Sequence, residues 1–151
     1  MEQLKILKTT VDIGLGHEVK ILHLTDTHIA LDDEGDERGR FQYFSHAEEY
    51  FHQTCAYAKE NGLVMFNTGD LLDAHTESNF AFADKYLLPT DTIYAAGNHD
   101  VCHFVGKATE DYAYKWERIK YSAPHLPNNL YFYSRVIDGV NFVTLDDSYY
   151  L

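Results

Sequence analysis

The stretch Val19-Lys20-Ile21-Leu22-His23-Leu24-Thr25-Asp26-Thr27-His28 decides the fold. An apolar run of strand length stops abruptly in a polar cluster. The pattern recurs twice: residues 63–66 lead into Gly69-Asp70 with Asp73, and residues 93–96 lead into Gly97-Asn98-His99-Asp100. Residues 19–24 are almost continuously apolar, as expected of a central strand covered on both faces. Each cluster places carboxylates, imidazoles or an amide oxygen at a strand end, where an open α/β sheet builds its sites.

Helices fill the intervals. Residues 45–60 predict a helix with Ala47, Tyr50, Phe51, Thr54 and Ala58 on one face and a stop at Asn61-Gly62. Residues 78–88 predict a second, with Phe80, Ala83 and Leu87 aligned and Pro89 ending it. Strands alternating with helices imply βαβ crossovers and a parallel sheet, which brings the three clusters to one edge. Residues 109–120 predict a further helix with Tyr112, Trp116 and Ile119 on one face. Residues 130–137 and 140–145 flank Asp138-Gly139, a hairpin signal. Residues 31–40 are charged and read as a solvated loop. Near the N-terminus, residues 4–11 read as a strand, followed by a tight turn at Gly14-Leu15-Gly16. That turn lacks the third glycine and the following helix of a dinucleotide loop.

A chain of 151 residues is long enough for one domain with a real core. Its formal net charge of −12 argues against a partner that needs a basic field, such as nucleic acid or an anionic membrane. A phosphate substrate would need bound cations to invert the local field. Cys55 and Cys102 have no zinc-like or C-x-x-C spacing and read as reduced thiols. With no signal-like apolar region near the N-terminus, the expected location is cytoplasmic.

In an extended segment Asp26 and His28 would point the same way and could grip one ion. The turn at Gly69 would expose the Asp70 carboxylate, whose two oxygens could bridge two cations. Asp73 could orient that loop or serve as a cap. Asn98 offers a neutral oxygen to a second ion. His99 is expected to diverge from it toward substrate as a proton donor, with Asp100 fixing its tautomer. His23, inside an apolar strand, reads as a hydrogen-bonded core histidine. His75 could touch substrate, whereas His17, His46 and His52 carry no signal. There is no Gly-x-Ser-x-Gly elbow, no phosphate-cradling Arg motif around Cys102 and no Gly-x-x-x-x-Gly-Lys loop.

The ordered set Asp-x-His, Gly-Asp-x-x-Asp and Gly-Asn-His-Asp resembles the calcineurin-like metallophosphoesterase superfamily. The similarity runs over residues 19–148, where residues 141–146 with Ser148 resemble the family's strand ending in Leu-Asp-Ser. The resemblance implies an α/β fold with a sandwich of two sheets flanked by helices. It implies a metal-dependent phosphoesterase, in which hydroxide between two divalent ions (Mn, Fe or Zn) attacks phosphorus. Asp26, His28 and Asp70 would hold one ion, Asp70 and Asn98 the other, and His99 would assist the leaving group. Ala74-His75 stands in place of the Arg-Gly of the protein phosphatase branch, and Asp100 where that branch has Glu. Both departures favour a small-molecule or nucleotide ester, most simply a phosphodiester.

The family also supplies a later His and a closing Gly-His-x-His, and neither motif occurs before Leu151. His103 and His125 stand outside any such motif. The expectation is therefore the N-terminal part of one metallophosphoesterase domain. The alternative is a non-catalytic metal-binding or interaction module that keeps a partial site.

Overall fold

The computed structural model describes residues 5–31, 46–101, 112–128 and 132–145. Strand β1 (Ile21–Leu24), β2 (Val64–Asn67) and β3 (Thr92–Tyr94) form a parallel sheet in that order. Its register pairs Leu22 with Met65 and Leu24 with Asn67, and then Met65 with Thr92 and Asn67 with Tyr94. Helix α1 (Ala47–Asn61) makes the first crossover. Helix α2 (Glu77–Phe82), continued as a π-helical turn over Ala83–Leu87, makes the second. After β3 come the single turn α3 (Asn98–Val101), helix α4 (Tyr112–Ser122) and a hairpin of β4 (Phe132–Ile137) and β5 (Val140–Leu145). This is an α/β fold built on a parallel sheet.

The helical periodicities translate into buried faces. Ala47, Phe51, Thr54 and Ala58 of α1 are buried, Tyr50 half-buried, and Gly62 closes the helix in the left-handed conformation at φ 61°. Phe80, Ala83 and Leu87 enter the same core as Phe51, Leu71, Leu72 and Tyr94. The second helix departs from the single α-helix expected over 78–88. Thr76 caps it by accepting from the Asn79 N–H, and it widens after Phe82, where the Leu88 N–H reaches back five residues to the Ala83 carbonyl. Ile119 of α4 is buried and Trp116 half-buried, whereas residues 109–111 and the side chain of Tyr112 lie outside the described residues.

The hairpin follows its two-residue signal. Asp138 and Gly139 both take positive φ, 46° and 85°, the combination that lets a two-residue turn follow the strand twist. One face of the hairpin meets the parallel sheet through Phe142, whose ring lies 5.9 Å from that of Phe66. Arg135 makes a two-toothed ion pair with Asp91 at the start of β3. The other face leaves Phe132, Val136, Val143 and Leu145 exposed.

Three expectations are corrected. Residues 5–13 carry no strand: an alternating pattern makes a strand only where an edge accepts it, and Leu7, Val11 and Ile13 stay exposed. Among the described residues β1 is an edge of its sheet rather than a central strand, with Leu22 buried and His23 exposed. His23 is therefore not a core histidine, although its Nε2 does hydrogen-bond the Thr68 hydroxyl at 2.9 Å. The loop expected over 31–40 lies almost wholly outside the described residues, as do Cys102, His103, Asp146 and Ser148.

Beyond the strand ends, two glycines let two loops touch. A Cβ on Gly69 would stand 2.5 Å from the Gly97 nitrogen, and one on Gly97 would stand 2.5 Å from the Asp70 nitrogen. Gly69 also holds φ at 107°, a conformation side chains resist. Gly97→Ala should cost roughly 1–3 kcal/mol, as overpacking against backbone does. A melting temperature equal to wild type would show that the two loops can part freely.

Candidate metal centre

The three clusters do converge at the carboxyl ends of β1, β2 and β3. The reason is backbone pairing that continues past the strands. The Asp26 N–H donates to the Gly69 carbonyl (3.0 Å), His28 to Asp70 (2.9 Å) and Ile29 to Leu71 (2.7 Å). The Asp73 N–H returns a bond to Ile29 at 3.0 Å, so the first and second loops are zipped in parallel through the site.

Asp26-Thr27-His28 is not the extended triplet that the sequence suggests. Asp26, His28 and Asp70 all sit in the left-handed region, at φ 51°, 48° and 52°. Such conformations cost on the order of 1–3 kcal/mol each and persist where the surroundings dictate them. Here they turn side chains from two loops toward one another. His28 Nε2 stands 3.8 Å from Asp26 Oδ1 and 3.9 Å from Asp70 Oδ2. Ligand atoms of His28, Asp70 and His99 lie within 4.8 Å of one another. Ions held at about 2.0–2.2 Å from each donor draw their ligands to separations of this order, and a mixed imidazole and carboxylate set suits a divalent transition metal. The residues present fit such an ion.

The imidazoles are held from behind by Asp73. Its Oδ1 accepts from His28 Nδ1 at 3.0 Å, and its carbonyl accepts from His99 Nδ1 at 2.8 Å. Partners of this kind fix tautomer and ring direction. The His28 and His99 rings meet edge to face at 4.6 Å. His99 is buried, and that burial, reinforced by neighbouring His28, lowers its pKa from the ordinary imidazole value.

Asp100 is not where the sequence reading put it. Its Oδ2 accepts from the Asp70 N–H (2.8 Å) and the Gly97 N–H (2.8 Å). Its Oδ1 accepts from the N–H groups of Leu71 (3.2 Å) and Leu72 (3.3 Å). A carboxylate so engaged is spent on the loop, and the His99 tautomer falls to Asp73. His99 is tied in by its own backbone, whose N–H donates to Asp70 Oδ1 at 2.9 Å. One oxygen of the proposed bridging carboxylate thus already carries a hydrogen bond. Asn98 opens α3 at the rim, half-buried. His75 Nε2 bonds the Asp100 carbonyl (3.0 Å), and His125 Nδ1 bonds Asp84 (2.9 Å) while stacking on Phe80. His17 bonds the Asp138 carbonyl, and His46 and His52 lie beside Tyr50 and Tyr86.

The sequence reading missed the weight of Asp73 and of Thr25. The Thr25 hydroxyl donates to Asp26 Oδ2 at 2.6 Å. A hydroxyl next to a candidate ligand was the only available signal for it.

Asp100 also sets a pH test. Burial pushes its carboxyl up from 3.8 to about 6 against the pull of the N–H donors. A raised acid pKa means that its stabilising contribution is complete below about 4 and declines as pH rises through about 6. Asp100→Asn keeps one acceptor and turns an amide NH2 toward two N–H donors. The expected loss is at least about 2 kcal/mol. Because the wild type alone loses stability over that interval, the gap between the two should be wider at pH 4 than at pH 7. Denaturant melts of both proteins would show it; a gap that widens with pH would refute the assignment.

Comparison with curated proteins and with solved structures returned no match. The profile of the calcineurin-like phosphoesterase family matches residues 19–151, from the start of the first apolar run onward and across all three clusters. This chain belongs to the calcineurin-like phosphoesterase family.

Proposed function

We propose that this chain carries the ligand and substrate-handling residues of a metal-dependent phosphodiesterase acting on a small-molecule or nucleotide ester. The observation that carries the reading is His28 Nε2 standing within 4 Å of both Asp26 Oδ1 and Asp70 Oδ2. Asp26, His28 and Asp70 would hold one divalent ion, and Asp70 with Asn98 a second. Bound there, Mn, Fe or Zn would activate water and neutralise charge on phosphoryl oxygens. The protein's own part is to hold these donors through the zipped loops and to present His99 toward the leaving oxygen. Asp73 keeps the His99 Nδ1 hydrogen pointed at its carbonyl, so protonation adds the hydrogen at Nε2, the atom that would deliver it.

The preference for a diester rests on charge. Asp26, Asp70, Asp73 and Asp100 surround the site, and the cations with described contacts are engaged elsewhere. Lys20 pairs with Glu18, Lys120 with Glu117 and Arg135 with Asp91, and Lys85 lies over Tyr86. A monoester dianion usually meets Arg or Lys clamps. A diester carries one charge fewer and suits a site that, among the described residues, would draw its positive charge from its ions.

With Mn2+ present, bis(p-nitrophenyl) phosphate should be cleaved at least about tenfold faster than p-nitrophenyl phosphate, by the single-charge argument. EDTA should abolish both activities, and Asp70→Asn should lower bound metal. A metal-loaded protein that prefers the monoester overturns the diester reading.

His99 stands among the donors within 4.8 Å of one another, but we assign it to proton delivery rather than to the ion. On that assignment His99→Ala should leave metal content nearly unchanged and slow esters of poor leaving groups by roughly 10²–10⁴. Nitrophenyl esters, which need no proton, should suffer little. Because the His99 pKa is lowered, its protonated fraction shrinks as pH rises from below neutrality. The wild-type rate ratio of poor to good leaving groups should therefore fall with pH, and that of His99→Ala should stay flat. Equal slowing of both ester types, or loss of metal, would make His99 a ligand rather than an acid.

A further inference from the structure

We infer that Thr25 is a positioning residue for the metal centre: its hydroxyl sets the rotation of the Asp26 carboxylate. The inference rests on the ligand role proposed for Asp26. A carboxylate's terminal torsion is broad and two-fold, so an exposed aspartate points its oxygens almost anywhere. The Asp26 side chain is 64% exposed, and its Oδ1 faces His28 Nε2. What narrows the rotation is the 2.6 Å bond that the Thr25 hydroxyl donates to Oδ2. With Oδ2 tied, Oδ1 is the oxygen turned to His28 Nε2, at 3.8 Å.

The bond has little to offer the fold. The two residues are neighbours in sequence, so the unfolded chain can make the same bond and its net contribution to folding is small. Its effect is on direction. Asp26 gains from this because its backbone is already held: the N–H is bonded to Gly69 and φ is fixed at 51°. The two side-chain torsions are left to set, and the Thr25 bond to Oδ2 restricts both. His28 receives the same service from Asp73 behind it; Thr25 does it for the carboxylate at the open side of the site.

Removing such a supporting bond typically weakens metal affinity 10–100-fold. Thr25→Val keeps shape and removes the hydroxyl, and an exposed bond predicts the lower end, about tenfold. Mn2+ and Zn2+ affinity would be measured by competition with a chromogenic chelator on the whole chain, alongside the melting temperature of the metal-free protein. Thr25→Val should lose affinity with an unchanged melting temperature, and Thr25→Ser, which restores the hydroxyl, should recover it. Equal affinity of Thr25→Val and wild type overturns the inference, as does failure of Thr25→Ser to recover. If wild type itself takes up neither ion, the metal-centre reading fails; if wild type binds and Asp26→Ala binds equally well, the ligand role of Asp26 fails and Thr25 falls with it.

Discussion

The site depends on one buried carboxylate. Asp100 gathers four backbone N–H groups, three from the loop after β2 and one from the loop after β3. These donors cannot bond within a strand, because each lies past the end of its ladder. Left alone in a buried position, they would cost about 1–3 kcal/mol apiece. One side chain answers all four, and in doing so it locks Asp70 and Gly97 side by side. Everything functional is placed relative to that knot. Asp70 stands on one side of it, and His99, one residue before Asp100, is fastened back to Asp70 through its own N–H.

A second constraint operates between the first and second loops. Their backbones continue the parallel pairing of β1 and β2 beyond the sheet, so Asp26 and His28 inherit their positions from Gly69 and Asp70. The centre is therefore held as three loops in a row, zipped at one junction and knotted at the other. Asp73 spans both junctions by serving His28 with its carboxylate and His99 with its carbonyl. A divalent ion entering such a site meets donors that are already oriented, and little ordering remains for binding to supply.

How far the sequence carried this is instructive residue by residue. The three-strand core, α1 and the hairpin were legible because period and punctuation agree there: Phe51 and Ala58 repeat at helical spacing, and Asp138-Gly139 needs positive φ at both positions. The convergence of Asp26, His28 and Asp70 was legible from topology alone, since parallel strands end at one edge. Their geometry was not. Alternation in an extended chain gave the right neighbours for a wrong reason, because left-handed backbone at an aspartate or histidine leaves no mark in composition. Asp100 was misread because an aspartate beside a histidine looks like its partner, and only the fold reveals four N–H groups on its other side. Residues 5–13 show the opposite failure: the alternation is clear, but no strand edge takes it up.

The left-handed residues also bear on how such a chain tolerates change. At Asp26, His28 and Asp70, glycine would adopt the observed backbone without steric penalty, so the substitution that relaxes the loop is the one that deletes the donor. At Asp70 and His28 the lost side chain would also strip the bonds to the His99 N–H and to Asp73, but at exposed Asp26 stability and chemistry pull in opposite directions. A selection for thermal resistance alone would drift toward glycine there and yield a sturdier protein with an emptied centre, a trade between endurance and activity written into the backbone rather than into the packing.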